Sequence, residues 1–184
     1  MDPKTVVIVV AVVLVVLAIV WVAMRKRRTA ALQSRFGPEY ERTVREQGAA
    51  RAESVLLERQ KRVEKFPIRE LAVDERERFV TEWRDVQARF VDDPKGAVNE
   101  ADGLVARLMQ ARGYPMSDFE QRAADISVDH PRVVANYRAG HEITLRHRKG
   151  EATTEDLRSA VIYYRSLFDE LLQNKPVGTT KEVA

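Results

Sequence analysis

The sequence predicts an all-α protein, with an N-terminal transmembrane helix, a long polar linker helix and a compact bundle of about five helices. Three observations lead to this fold class. An uninterrupted apolar segment opens the chain, apolar side chains recur further on with helical spacing, and no segment shows the strict alternation expected of strands. The chain has 184 residues and no cysteine, which excludes disulfides and cysteine-based catalytic or metal sites.

The first predicted element is a membrane anchor. No charged side chain occurs between Val6 and Ala23, and residues 5–24 as a helix would be about 30 Å long, which matches the hydrocarbon core of a bilayer. Residues 1–4 would form a short segment outside the cytoplasm. A cleaved secretory signal would carry its cations before the apolar run and a small-residue site after it. In this chain the only cation before the run, Lys4, is offset by Asp2, the other cations follow the run, and no small-residue cleavage pattern ends it.

The junction after the apolar run predicts how the anchor is oriented. An indole ring and four consecutive cations mark the membrane interface there: Trp21, Arg25, Lys26, Arg27 and Arg28. Cations next to a transmembrane helix stay on the cytoplasmic side. We therefore predict a single-pass protein of the bacterial plasma membrane, with its N-terminus outside and its C-terminal domain in the cytoplasm. Residues 25–37 would then be a basic stop-transfer segment and hinge, with the hinge at Phe36, Gly37 and Pro38.

Residues 38–66 are predicted to form a polar stalk helix. Pairs such as Glu41 with Arg45 have the spacing that stabilises an exposed helix. Apolar positions are too sparse for a continuous coiled-coil seam, and Gly48 interrupts them. Packing of the stalk on the domain is the default expectation, and a parallel coiled coil that makes a homodimer is the alternative.

Residues 67–172 are predicted to form the helical bundle. Helix starts are expected where a capping side chain precedes an apolar stripe, at Asp74, Asp93, Ser117, Asp129 and Thr153. Each predicted helix has one apolar face, so the helices must bury those faces against one another. Residues 173–184 are polar and are expected to be disordered.

Charge and motifs argue against several classes of function. Of the 31 Lys and Arg residues, five precede Thr29, as does one of the 28 acidic residues, so 26 cations and 27 anions remain. A nearly neutral domain is not expected to bind nucleic acid. Phosphate-binding glycine motifs are absent from the sequence. His141 and His147 are six residues apart and face different sides of a helix, so we predict neither a metal nor another cofactor.

The best candidate for a site is a polar groove on the predicted helix from His130 to Glu142. Polar residues crowd this segment, and His130, Tyr137 and His141 would line the groove, with a histidine as general base. The competing interpretation is structural: Asp129 caps the helix, while Tyr137 and His141 lie at the edge of the core with their polar ends in water. We assign no catalytic residue.

Four phrases, RFGPEYERTV, FVDDPKGAV, ARGYP and ISVDHPRVVANYR, carry a resemblance to known proteins. Between about Arg35 and Leu172 the chain resembles a family of uncharacterised bacterial proteins, often described as hypothetical or secreted. The resemblance implies a short N-terminal membrane helix joined to a charged helical domain. It implies no activity and no site residue.

Taken together, these observations predict a membrane-tethered, non-enzymatic module that binds or scaffolds a protein partner at the cytoplasmic face. The alternatives are a sensor of anionic lipid or of an envelope polymer and, third, a small enzyme that uses the His130–Glu142 helix. Tethering would favour binding because it raises the effective concentration near membrane partners.

Overall fold

The computed structural model describes the backbone of residues 3–173 and the side chains of residues 12–173. Within this part of the chain there are eight α-helices and no strand, which confirms the all-α prediction. In chain order the helices are α1 (Pro3–Phe36), α2 (Pro38–Gln47), α3 (Ala49–Val63), α4 (Val73–Asp92), α5 (Pro94–Ala111), α6 (Phe119–Asp129), α7 (Val134–Arg148) and α8 (Thr154–Leu172). The tail from residue 174, where disorder was predicted, lies outside the described residues.

The two ends of α1 have different surroundings. From Val12 to Met24 the side chains are exposed, whereas Leu32 and Phe36 are buried against the rest of the protein. Residues 5–11 of the predicted membrane segment lie outside the described side chains. Among the described residues, none of the helices combines the length and the apolar character needed to cross a bilayer.

The prediction that residues 38–66 form a single stalk helix is wrong. The chain breaks at Gly48, whose positive φ of 79° suits glycine, and α3 folds back along α2. Leu56 and Val63 of α3 are buried together with Phe36 of α1 and Val128 of α6. The apolar residues of 38–66 therefore pack on the domain, which was the default expectation, but they do so as a hairpin.

Helices α4 to α8 form the predicted bundle, and most of the core lies between them. α5 packs against both α4 and α8, and α7 packs along α8. Trp83 of α4 stacks on Phe168 of α8 with ring centroids 4.6 Å apart. The apolar stripe expected after Asp74 is confirmed on α4, because Trp83 and Val86 face the core while Phe79 and Phe90 are partly buried beside it.

Two of the five predicted helix caps are in place. The carboxylate of Asp93 accepts a hydrogen bond from the Gly96 amide at 2.9 Å, and Thr153 forms a capping box with Asp156. The other three predictions are wrong: α4 begins after Ala72, α6 is capped by Asp118, and α7 begins only at Val134. Asp129, the expected cap of α7, is the last residue of α6.

Candidate functional site

The predicted membrane-interface residues lie on one continuous helix. Trp21 is 62 % exposed, and the four cations from Arg25 to Arg28 are exposed on the next turn of α1. The guanidinium carbon of Arg25 lies 5.6 Å from the centre of the Trp21 ring, within the range of a cation–π contact. One turn further on, the Thr29 hydroxyl donates a hydrogen bond to Glu53 of α3 at 2.6 Å. The exposed basic block is thus adjacent to the point where α1 joins the domain.

The three residues of the predicted polar groove do not line one groove. His130 is the C-cap residue that follows α6 and is only 7 % exposed, so it does not share the α7 helix with Tyr137 and His141. Its Nδ1 lies 3.3 Å from the carboxylate of Glu170 on α8. Burial lowers the pKa of His130, while Glu170 and Asp129 oppose that shift. The prediction failed because Pro131 lies in a turn between two helices, whereas it was expected to start α7.

Tyr137 and His141 do lie near each other, and both rings are close to Phe119. The ring of His141 stacks on Phe119 with centroids 3.6 Å apart, and the Tyr137 ring lies 4.9 Å from Phe119. Tyr137 is fully buried, and its hydroxyl accepts a long hydrogen bond of 3.4 Å from Arg122. Burial raises the pKa of Tyr137 and lowers that of His141. Both rings pack in or beside the core, as the structural interpretation expected, but the polar end of Tyr137 is not in water because this residue is fully buried.

Asp102 on α5, which was not among the predicted site residues, belongs to the same buried polar region. It opposes the burial that lowers the pKa of His141, and it adds to the burial that raises the pKa of Tyr164. One oxygen of Asp102 and Nδ1 of His141 are buried without a hydrogen-bond partner among the described residues. The Tyr164 hydroxyl lies 2.9 Å from that of Thr144. No sequence signal marks Asp102, because its neighbours come from α7 and α8.

A second buried polar group surrounds Arg112, which follows α5. Arg112 is 1 % exposed, and two of its guanidinium nitrogens have no hydrogen-bond partner in the described part of the chain. Asp129 lies nearby and accepts a hydrogen bond from the Tyr114 hydroxyl at 2.8 Å. Burial raises the pKa of Asp129, while Tyr114, His130 and the arginines oppose the rise. Asp129 is therefore part of an interior network, which explains why it does not cap α7.

The most concentrated charge network is centred on Glu39, in the first turn of α2. Its side chain is 2 % exposed and lies within 3.3 Å of Arg138 on α7, 3.4 Å of Arg59 on α3 and 3.7 Å of Arg42 on α2. Burial lowers the pKa of Arg59, and the carboxylate of Glu39 opposes this shift. The network joins the α2–α3 hairpin to α7, so it holds the hairpin on the bundle.

A cleft opens beside this network, between the hairpin and the ends of α6 and α7. Its volume is about 390 Å³, and charged side chains make up most of its wall: Arg42, Glu46, Glu58, Arg59, Arg62, Asp118, Glu120 and Arg138. Several of these are already paired, as in the 2.7 Å contact between Arg138 and Glu120. Glu58 is exposed and has no ion-pair partner within the described residues. A wall of mixed charge can recognise a segment that carries both signs of charge.

The cleft was missed in the sequence because its residues are far apart in the chain. Arg138 and Glu120, for example, are separated by 18 positions and form a 2.7 Å ion pair. In the sequence each looks like an ordinary charge on the exposed face of a helix. Across residues 12–173, no three histidine or carboxylate groups converge in a way that would hold a metal ion.

Comparison with known proteins adds no relative to this picture. No protein-family model, curated protein or solved structure matches the chain. The resemblance carried by the four phrases of residues 35–138 therefore stays a prediction.

Proposed function

We propose that this protein is a membrane-tethered binding module, whose anchor is residues 5–24 and whose helical domain holds a protein partner at the cytoplasmic face. The observation that carries the proposal is the continuity of α1. The same helix leaves the apolar side chains of 12–24 exposed and buries Leu32 and Phe36 in the domain. A row of exposed apolar residues on all sides of a helix costs free energy in water and is stable in lipid.

The proposed orientation rests on the basic block. Moving four adjacent cations through the hydrocarbon core would be costly, so they stay on the side of synthesis. With Arg25 to Arg28 in the cytoplasm, the domain that begins one turn later is there too. The bacterial plasma membrane is the proposed location.

The cleft beside Glu39 is the proposed partner site. It is the place where α2, α3, α6 and α7 come together, and its wall offers guanidinium and carboxylate groups at short range from one another. A partner segment with alternating acidic and basic side chains would exchange its water contacts for charge-assisted hydrogen bonds there. The tether would supply local concentration, and the cleft would supply selectivity.

The test is site-specific photo-crosslinking of the full chain in bacterial membranes. A crosslinking amino acid replaces Glu58 at the rim of the cleft, and a control replaces Gln87, which is also exposed on a helix but lies on α4. We expect one recurrent protein adduct at position 58, none at position 87, and a lower yield when the chain starts at Arg25. Equal adducts at both positions, or none at position 58, would count against the proposed partner site.

A further inference from the structure

The turn between α2 and α3 lies at the same end of the molecule as the basic block of α1. The Thr29–Glu53 hydrogen bond places these two residues side by side. Further along both helices, Leu32 and Phe36 of α1 are buried in one cluster with Leu56 and Val63 of α3. On both helices the hydrogen-bonded residue comes first in the chain and the buried residues come later, so α1 and α3 run in the same direction.

This register fixes which residues lie nearest to the apolar end of α1. Arg25 precedes Thr29 by four residues, or about 6 Å of helix. The same step back from Glu53 reaches Ala49, the first residue of α3. The turn at Gly48 is therefore level with Arg25, where the proposed anchor would leave the bilayer.

The turn presents cations and small side chains. Arg45 and Arg51 flank it, and both are exposed, as are Ala49 and Ala50 at its tip. Neither arginine, and none of the four cations of the basic block, has an ion-pair partner within the described residues. The exposed acid beside the turn, Glu46, is paired with Arg42 at 3.0 Å.

The pairing of other arginines makes this contrast informative. On the same two helices, Arg42, Arg59 and Arg62 are all paired with carboxylates. Among the arginines of α2 and α3, the two without a carboxylate partner in the described part of the chain, Arg45 and Arg51, are those that flank the turn level with Arg25. Small residues at the tip would allow the backbone to approach a flat surface closely.

We propose that the α2–α3 turn is a second membrane contact, in which Arg45 and Arg51 bind the headgroups of anionic phospholipids next to the basic block. This inference rests on the proposed anchor. A helix alone would let the domain tilt freely at the surface, whereas two separated contacts hold the charged cleft at a defined height and angle. The partner segment would then have to approach the cleft from one direction.

The test uses the full chain in liposomes and a fluorophore on a single cysteine, which is feasible because the protein has no cysteine of its own. Ala50→Cys reports on the turn, and Gln87→Cys on α4 is the control. The liposomes contain a headgroup-linked quencher in zwitterionic lipid, with or without phosphatidylglycerol. We expect quenching at position 50 that increases with phosphatidylglycerol, and weak quenching at position 87 in both mixtures.

Substitutions that remove the charges of the two arginines then test whether the quenching depends on those charges or only on closeness to the bilayer. Each cation near an anionic surface changes the equilibrium about fivefold, so Arg45→Gln with Arg51→Gln should lower the ratio of docked to undocked domain about 25-fold. The matched control, Arg84→Gln with Arg132→Gln, removes two exposed cations elsewhere and should change nothing. Flotation with the liposomes tests the anchor separately. A chain that floats but is quenched equally at positions 50 and 87 refutes the turn contact alone, and a chain that does not float refutes both proposals.

Discussion

Glu39→Gln tests whether the ion network beside the cleft holds the α2–α3 hairpin on the bundle. The substitution keeps the shape of the side chain and removes its charge. Glu39 is 2 % exposed, and the side chains of Arg59 and Arg138 that contact it are 12 % and 14 % exposed. All three groups are therefore largely shielded from water, and the loss of the carboxylate leaves guanidinium groups without their buried counter-ion.

The expected loss of stability depends on which carboxylate contacts each arginine retains in the variant. Removing one partner of a buried ion pair costs about 3–5 kcal/mol. Arg138 keeps Glu120 at 2.7 Å and Arg42 keeps Glu46 at 3.0 Å, so only Arg59 loses its sole carboxylate among the described residues. We therefore expect a loss at the lower end, about 3 kcal/mol in the free energy of unfolding. For a chain of this size that corresponds to a fall in Tm of roughly 6–12 °C.

The assay is thermal and urea unfolding of the full chain in detergent, followed by circular dichroism. The control is Glu120→Gln, since that carboxylate also contacts Arg138 but its side chain is 71 % exposed. An exposed pair contributes about 1 kcal/mol or less. Equal losses for Glu39→Gln and Glu120→Gln would refute the reasoning, because burial would then make no difference to the network.

Three further predictions test other parts of the fold by the same unfolding assay. Gly113→Ala should destabilise the protein strongly, because a Cβ there would overlap the carbonyl oxygen of Pro67. The control Gly150→Ala, also at positive φ but in open space, should lower the free energy of unfolding by only about 1 kcal/mol. Equal losses of stability would contradict the packing at Gly113. His130→Gln should flatten the pH dependence of stability, because burial lowers the pKa of His130 in the folded state. Below about pH 6.5 the unfolded chain therefore binds the proton more readily, and the stability of the parent falls as the pH falls. A variant that loses as much stability between pH 7 and 5 as the parent would refute this. Thr153→Ala removes the hydroxyl that accepts from the Asp156 amide at 3.2 Å and should cost about 1 kcal/mol, while an unchanged urea midpoint would show that the cap contributes nothing.

Local signals in the sequence predicted those features of the fold that depend on neighbouring residues. Asp93 before Pro94 starts α5, because a cap and a proline at the first helical position act within one turn. Thr153 and Asp156 do the same for α8. The stripe that includes Trp83 faces the core because helical spacing alone brings its members to one face.

Features that depend on distant contacts could not be predicted in the same way. A glycine within a helical pattern costs only about 1 kcal/mol, so Gly48 alone does not say whether the helix breaks. It breaks because folding back buries Leu56 and Val63 against α1 and α6, and those contacts are not visible in the segment itself. The same holds for the ion network beside the cleft, because its central residue Glu39 looks like an exposed helical acid in the sequence and is buried only where Arg59 and Arg138 contact it.

The groove predicted on His130, Tyr137 and His141 shows a third limit. Asp129, His130 and Pro131 have the composition of a helix start, yet Asp129 bonds to Tyr114 and His130 pairs with Glu170. Interior partners from the loop after α5 and from α8 determined where these side chains lie, and the local capping preference did not. Placing Asp129 and His130 would have required knowing that Tyr114 and Glu170 lie at the end of α6.

The most direct test of the account is the accessibility of a single cysteine at Gln87→Cys in intact bacterial cells. If residues 5–24 anchor the chain and the basic block stays in the cytoplasm, the protein remains with the membranes after an alkaline carbonate wash. The cysteine then reacts with a membrane-impermeant maleimide only after the cells are broken. Labelling of intact cells, or release of the chain by carbonate, would contradict the proposed anchor and its orientation.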